Sequence, residues 1–441
     1  MSFLKRTMAF ICCFALSVGL AGAVSVSAED TGANSFDMIS TKGVTAVVSQ
    51  ESYGGNKDGW ELTLTKKDAG ISFANETIQS YEVFQDVIVE MRLKTSGTGY
   101  DGDFQLYKAE GDLIDYGLPG GVWNRVKYRT KVYVENGVKF VKLDLYNGKG
   151  KTVNISDISV EIAPEEQPLL GGVKLYSMEA GGLMQGYVLV TPEGKVVVID
   201  GGNTADVSKL ISLIRTFTNK VDYWFITHFH TDHAGALRTI LDAQSIAIEN
   251  LCYSFPDTET VKSLSGDADA WLCDAIDEAV ANHPEKVKNV YEPKAKDVFN
   301  VSETVTVKAL NDAWFEKNNN YGNNSGVMYK VETPGEDILF IGDMGDRGDY
   351  YLQDEWVKKE VETCTVIQMS HHGQNGVTDL FYSTIKEMKV CLYPAVMWIY
   401  DNNGGSGFNS ATLKTMHTRD LVRERGVMDI YVSGRGRALL E

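Results

Sequence analysis

Three histidines and one aspartate fall within six residues, His228-Phe229-His230-Thr231-Asp232-His233. A largely apolar stretch, Val221 to Thr227, reads as a buried strand before them, and a helical pattern opening Ala234-Gly235-Ala236-Leu237 follows. The chain must therefore end a strand and start a helix on either side of a loop dense in ligand side chains. A run of this composition arises by chance in roughly one chain in ten thousand, so it reads as a site and not as an incidental polar loop. Residues two apart on a strand-end loop can turn towards one point. His228 and His230 are thus candidates to bind one ion, and Asp232 and His233 a second. Imidazole and carboxylate donors suit Zn²⁺ and similar divalent cations.

The rest of the chain divides around this site. Residues 30–165 carry short β-branched or alternating runs: Trp60 to Thr65, Val87 to Lys94, Val126 to Val134, Phe140 to Tyr146 and Val153 to Ile162. Clusters such as Gly54-Gly55-Asn56 and Asn147-Gly148-Lys149-Gly150 separate them, the pattern of an all-β sandwich. This segment holds no His and no Cys, which argues against a metal-centred active site there. Ala163-Pro164-Glu165-Glu166-Gln167-Pro168 is a short polar linker. From residue 172 to 441 apolar runs alternate with helical patterns, as in Lys195 to Ile199, then Val207, Leu210, Ile211, Ile214 and Phe217 on one helical face. That is an α/β arrangement. A helix is expected over Asp267 to Asn282 and another over Ala411 to Arg425. No internal repeat is legible.

At the N-terminus Lys5 and Arg6 precede an uncharged run, Met8 to Ala28, that ends in Val26-Ser27-Ala28. This reads as a signal peptide over residues 1–28, with a secreted or cell-surface protein and no stable membrane span after cleavage. An uncleaved anchor is the alternative. The whole chain carries a formal charge of −18, which argues against a broad basic face for nucleic acid. It leaves open an enzyme that takes a phosphate ester through a metal. Cys252, Cys273, Cys364 and Cys391 follow the leader without any CxxC pair, so either disulfides or buried thiols fit.

The histidine run, set after the apolar strand ending Asp200-Gly201-Gly202, resembles the metallo-β-lactamase fold. Two further pieces fall in the same order. Ile338-Leu339-Phe340-Ile341-Gly342-Asp343 is similar to the strand whose terminal Asp bridges two metals. Met369-Ser370-His371-His372-Gly373 is similar to the late loop that supplies the last His. The resemblance implies an αββα sandwich with two divalent ions, zinc or manganese, at one edge. It implies ligands His228, His230, Asp232, His233, Asp343 and one of His371 and His372, with His372 favoured because it directly precedes Gly. Asp232 would also orient the nucleophile, a metal-bound hydroxide, and Asp343 would bridge. Asp200 would sit behind the ligands and fix the histidine loop. One departure stands out: the usual third His between the first motif and the bridging Asp is missing. The only candidate, His283, lies at a helix end. Asn323-Asn324-Ser325 stands at the expected place. With the His-His-Gly loop it resembles competence-associated DNA-uptake metallo-hydrolase domains and secreted phosphorylcholine esterases, which brings Asn324 and Ser325 forward as substrate or supporting residues. His417 is a further candidate at the substrate edge.

The first domain resembles jelly-roll carbohydrate-binding modules over its last strands, with Trp60, Tyr100, Tyr107, Tyr116 and Trp123 as candidate stacking residues. Near the presumed active face lie Trp314, Tyr321, Tyr393, Trp398, Tyr400 and Phe408, beside a glycine-rich loop at 401–407 that reads as mobile. The expected function is a secreted metal-dependent phosphoesterase or phosphodiesterase. Its substrate would be a phosphate ester, with a cell-wall polymer or nucleic acid as possible sources. The alternatives are a β-lactam, lactone or thioester hydrolase, and a non-catalytic wall-binding protein.

Overall fold

A computed structural model describes residues 36–49, 51–55, 59–243, 245–317, 320–401 and 413–441. The leader at 1–28, Phe408 and the glycine-rich loop beyond Asp401 lie outside the described residues. The chain divides into two compact units that meet between Glu165 and Glu166. Among the described residues no helix is long and apolar enough to cross a membrane.

The first unit is built from two antiparallel sheets. In one, Asp37–Lys42, Asp68–Ala74, Val138–Tyr146, Gly99–Lys108 and Leu113–Gly120 are neighbours in that order. In the other the order is Val44–Val48, Trp60–Leu64, Thr152–Ile162, Asp86–Thr95 and Asn124–Lys131. Strand periodicity of two sends alternate residues inward. Val141, Leu143 and Leu145 thus meet Val89, Met91 and Leu93 in one core. The run expected over Val126 to Val134 breaks in two. Val132 is buried and bonds to Gln85 and Phe84, and Tyr133–Glu135 turns into the other sheet. Trp60 and Tyr116 are buried, Trp60 in the sandwich core, so neither is placed to stack on a ligand.

The second unit contains two seven-stranded sheets with one plan. The first runs Val287–Tyr291, Ala247–Cys252, Lys220–Phe225, Val196–Asp200, Gly186–Val190, Lys174–Ser177, Ala438–Leu440. The second runs Val298–Asn300, Thr306–Ala309, Tyr329–Glu332, Ile338–Phe340, Val366–Gln368, Val390–Tyr393, Asp429–Val432. Each has three antiparallel links and three parallel ones. This duplication is invisible in the sequence, because the two halves share strand directions and not side chains. Leu189, Ile199 and Phe225 of the first sheet share a core with Val307, Phe340, Val366 and Leu392 of the second. Helices Val207–Arg215 and Thr231–Ala243 pack beside the first sheet, Trp271–Asn282 packs on Thr231–Ala243, and Arg347–Tyr351, Glu355–Glu362, Asp379–Thr384 and Thr415–Glu424 follow strands of the second. This is an αββα sandwich. Cys252, Cys273, Cys364 and Cys391 are all buried free thiols, which settles the choice left open by their spacing.

Candidate metal centre

Parallel strands gather their carboxyl ends at one edge, where loops can converge. Asp200 ends the strand Val196–Asp200, and the histidine loop follows its parallel neighbour Lys220–Phe225. In the second sheet Asp343 follows Ile338–Phe340, and His371 and His372 follow Val366–Gln368, again a parallel pair. The duplicated plan thus brings four short segments to one place.

Asp232, His233, Asp343 and His372 each offer one donor atom, all within 4.8 Å of one another. His372 Nε2 lies 3.0 Å from Asp232 Oδ2 and 3.3 Å from Asp343 Oδ2. His233 Nε2 lies 3.2 Å from Asp343 Oδ1 and 4.0 Å from Asp232 Oδ2. Ligands about 2.1 Å from a tetrahedral ion stand about 3.4 Å apart, so these spacings match one divalent cation. Second partners choose the nitrogen each ring presents. His233 Nδ1 donates to Asp200 Oδ2 at 2.9 Å, and His372 Nδ1 donates to the Pro394 carbonyl at 2.6 Å. Both Nε2 atoms are left facing the carboxylates. His228 is buried beside them, its ring centre 4.1 Å from that of His233, and its Nε2 has no hydrogen-bond partner. A buried donor set with an orphaned imidazole nitrogen fits a metal better than a purely structural cluster.

The electrostatics agree. Burial opposes charge throughout the cluster, yet paired groups overcome it. Asp343, Asp200 and Asp232 hold the His233 pKa well above its usual value. Asp343 and Asp232 push His372 up to about 10. His372 and His233 hold Asp343 far below the usual carboxylate range. Burial and the neighbouring His233 and His230 push His228 down, keeping it neutral as a ligand must be. Three carboxylates at 0–19% side-chain exposure thus demand positive charge at one point.

Residues 180–250, which span the Asp200 strand and the whole histidine loop, match the model of the metallo-beta-lactamase superfamily. The second unit has the metallo-β-lactamase fold. Similar solved structures include the metallo-β-lactamase SMB-1 bound to 2-mercaptoethanesulfonate, at 13% identity and a TM-score of 0.30, covering 58% of this chain and 92% of that one. Zn²⁺-bound PqqB from Methylobacterium extorquens is 12% identical with a TM-score of 0.35, covering 61% and 99%. A diphosphatase from the PhnP family is 11% identical with a TM-score of 0.35, covering 61% and 97%. No curated protein matches the chain.

The second unit keeps other candidates outside the four-donor group. His230 Nε2 pairs with Asp267 Oδ2 at 2.9 Å. His371 is partly exposed, with Nε2 3.7 Å from Asp343 Oδ2. Asn324 and Ser325 are buried; Asn324 ties its segment to the loop after Asp343, and Ser325 serves its own turn. Asn324 Oδ1 accepts from Gly345 N and its Nδ2 donates to Asp346, while Ser325 Oγ donates to the Gly322 carbonyl. His417 forms an exposed pair with Asp379, Nε2 to Oδ1 at 2.7 Å. His283 follows the helix Trp271–Asn282 and faces Glu285. Tyr321, Tyr393 and Tyr400 are buried, Trp314 stacks on Arg347, and Trp398 is exposed.

Several supporting residues were not singled out from sequence. Thr227 donates its N–H to Asp200 Oδ1 at 2.7 Å, and its hydroxyl lies 3.1 Å from His228 Nδ1. Gln368 is fully buried; its Oε1 accepts from Ile341 N and Gly342 N, and its Nε2 donates to the Gly342 and Met369 carbonyls. One amide thereby ties the Asp343 loop to the His-His-Gly loop. That loop is itself strained: His371 has φ 49° and His372 φ 57°, as Asp200 has φ 56°. Non-glycine residues pay to adopt such angles, and they gather at functional sites. Gly373, at φ 78°, admits no side chain, since a Cβ would sit 2.5 Å from the Tyr393 ring.

Proposed function

We propose that this protein is a secreted metal-dependent phosphoesterase or phosphodiesterase that uses two divalent ions, zinc or manganese. The observation that carries the reading is Asp343, whose Oδ1 faces His233 while its Oδ2 faces His372 and His371. Both oxygens thus face nitrogens of the four-donor group that fits one ion, and the orphaned Nε2 of His228, whose ring centre is 4.1 Å from that of His233, offers a donor for a second. Divalent ions held there supply Lewis acidity, polarising the ester and making water acidic enough to attack near neutral pH. Asp232 lies at the more open side of the group and would orient the attacking water. His371, partly exposed beside Asp343, would protonate the leaving oxygen. The Asn-Asn-Ser segment and the His-His-Gly loop, like those of DNA-uptake metallo-hydrolases and phosphorylcholine esterases, support a phosphate ester over a β-lactam. The leader read at 1–28 supports export, and a sandwich unit ahead of the hydrolase suits anchoring to a wall polymer.

The test is elemental analysis of the purified protein together with turnover of bis(p-nitrophenyl) phosphate. Near two metals per chain with diester hydrolysis, both lost in Asp343→Ala, is the expected result. A loaded protein that opens lactones or β-lactams and leaves phosphate esters intact would overturn the substrate class.

A further inference from the structure

The loop before the helix Trp271–Asn282 grips the histidine loop at two successive residues. Asp267 Oδ2 takes His230 Nε2 at 2.9 Å, and Asp269 Oδ2 accepts from both Thr231 N and Thr231 Oγ1 at 3.0 Å. Asp267 is itself fixed: its Oδ1 accepts from Asp269 N at 2.9 Å, and its N–H donates to Ser265 Oγ at 3.2 Å. This use of Asp267 and Asp269 explains why the helix starts at Trp271 and not at Asp267. The short helix Tyr321–Asn324 closes over the pair. A Cβ on Gly322 would overlap His230 Nε2 and lie 2.7 Å from Asp267 Oδ2, so no side chain or other partner fits there. The ring centres of His230 and His228 are 4.6 Å apart, and His228 Nε2 is the orphaned nitrogen.

We propose that Asp267 is a positioning residue that holds His230 as the Nε2–H tautomer, leaves Nδ1 as its ligating nitrogen, and so sets the affinity of a metal subsite that His230 shares with His228. A neutral imidazole that donates at one nitrogen keeps its lone pair at the other. The Asp267 bond consumes Nε2, and Gly322 denies it any alternative. The subsite lacks the third histidine usual in this fold, so its strength rests more heavily on how well the two remaining rings are held. This inference rests on the two-ion reading above.

The experiment compares wild type, Asp267→Ala, Asp267→Asn and His230→Ala as full chains. Zinc stoichiometry and affinity are read by chelator competition, and the His230 tautomer by long-range ¹H–¹⁵N correlation in metal-free protein. In wild type His230 should show Nε2 protonated and two zinc should bind. Asp267→Ala should mix the tautomers and weaken one zinc about 10–100-fold while the other holds. Asp267→Asn, which retains an acceptor oxygen, should recover part of both effects. An unchanged tautomer in Asp267→Ala, or two zinc bound as in wild type, would overturn the role of Asp267. One zinc in wild type, unaffected by His230→Ala, would instead sink the two-ion reading, and the tautomer comparison would still judge Asp267.

Discussion

Asp200→Asn replaces one oxygen by an NH₂ group at a fully buried position where each oxygen is committed. Oδ1 accepts from Thr227 N at 2.7 Å, while Oδ2 accepts from Gln185 Nε2 at 2.8 Å and His233 Nδ1 at 2.9 Å. The remaining oxygen should stay with Thr227, because a backbone N–H cannot turn away and leaving it buried without a partner costs about 1–3 kcal/mol. The new NH₂ then faces Gln185 and His233. Gln185 can flip its amide, since its Oε1 has no partner to lose. His233 can adapt only by accepting at Nδ1, which moves its proton to Nε2, the atom that faces Asp343 at 3.2 Å. A ligand nitrogen is thereby blocked without a change of shape. Loss of such an outer partner weakens metal binding about 10–100-fold, or roughly 1.4–2.7 kcal/mol. The assay is zinc affinity by chelator competition, with circular dichroism to confirm an intact fold. A folded Asp200→Asn variant that binds zinc within about twofold of wild type would refute the account of how His233 is presented.

Three more outcomes follow from the site's geometry and charges. Gln368→Met keeps the volume but removes the acceptor shared by Ile341 N and Gly342 N, so the second unit should lose about 2–5 kcal/mol in chemical denaturation; a loss under about 0.5 kcal/mol would show that the two loops do not depend on this amide. In chelator-treated protein, His372 is raised from its usual 6.5 to about 10, so its stabilisation is full below pH 6.5 and fades as pH climbs towards 10. Asp343, lowered from 3.8, contributes above that value and loses its contribution as pH falls through its depressed pKa. His228, pushed well below 6.5, loses its contribution as pH falls under that value, so stability without metal should peak near pH 6.5 and decline on both sides. Protons compete with metal for the same atoms, so the rise in Tm on adding zinc should grow from about pH 5.5 to about pH 8.5; a rise that shrinks over that range would contradict the ligand set.

Local pattern carried much of this protein. Apolar alternation located the strands Trp60–Leu64, Asp86–Thr95 and Thr152–Ile162, and the composition change around 163–168 marked where the units part. The histidine run was placed between strand and helix because the hydrophobic period changes there from two to 3.6. Distance along the chain hid the rest. His372 meets Asp232 across 140 positions, and Asp267 meets His230 across 37, through pairings that no neighbouring residue announces. Gln368 and Asp267 look in sequence like any polar residue at a strand end or in a turn. Residue types and local pattern were enough to say what could hold a metal and to set one run of those residues at a strand end. Which of them converge, and which nitrogen each imidazole presents, came from the fold, because sheet order and the second hydrogen bond on each ring are set by long-range packing and not by local periodicity.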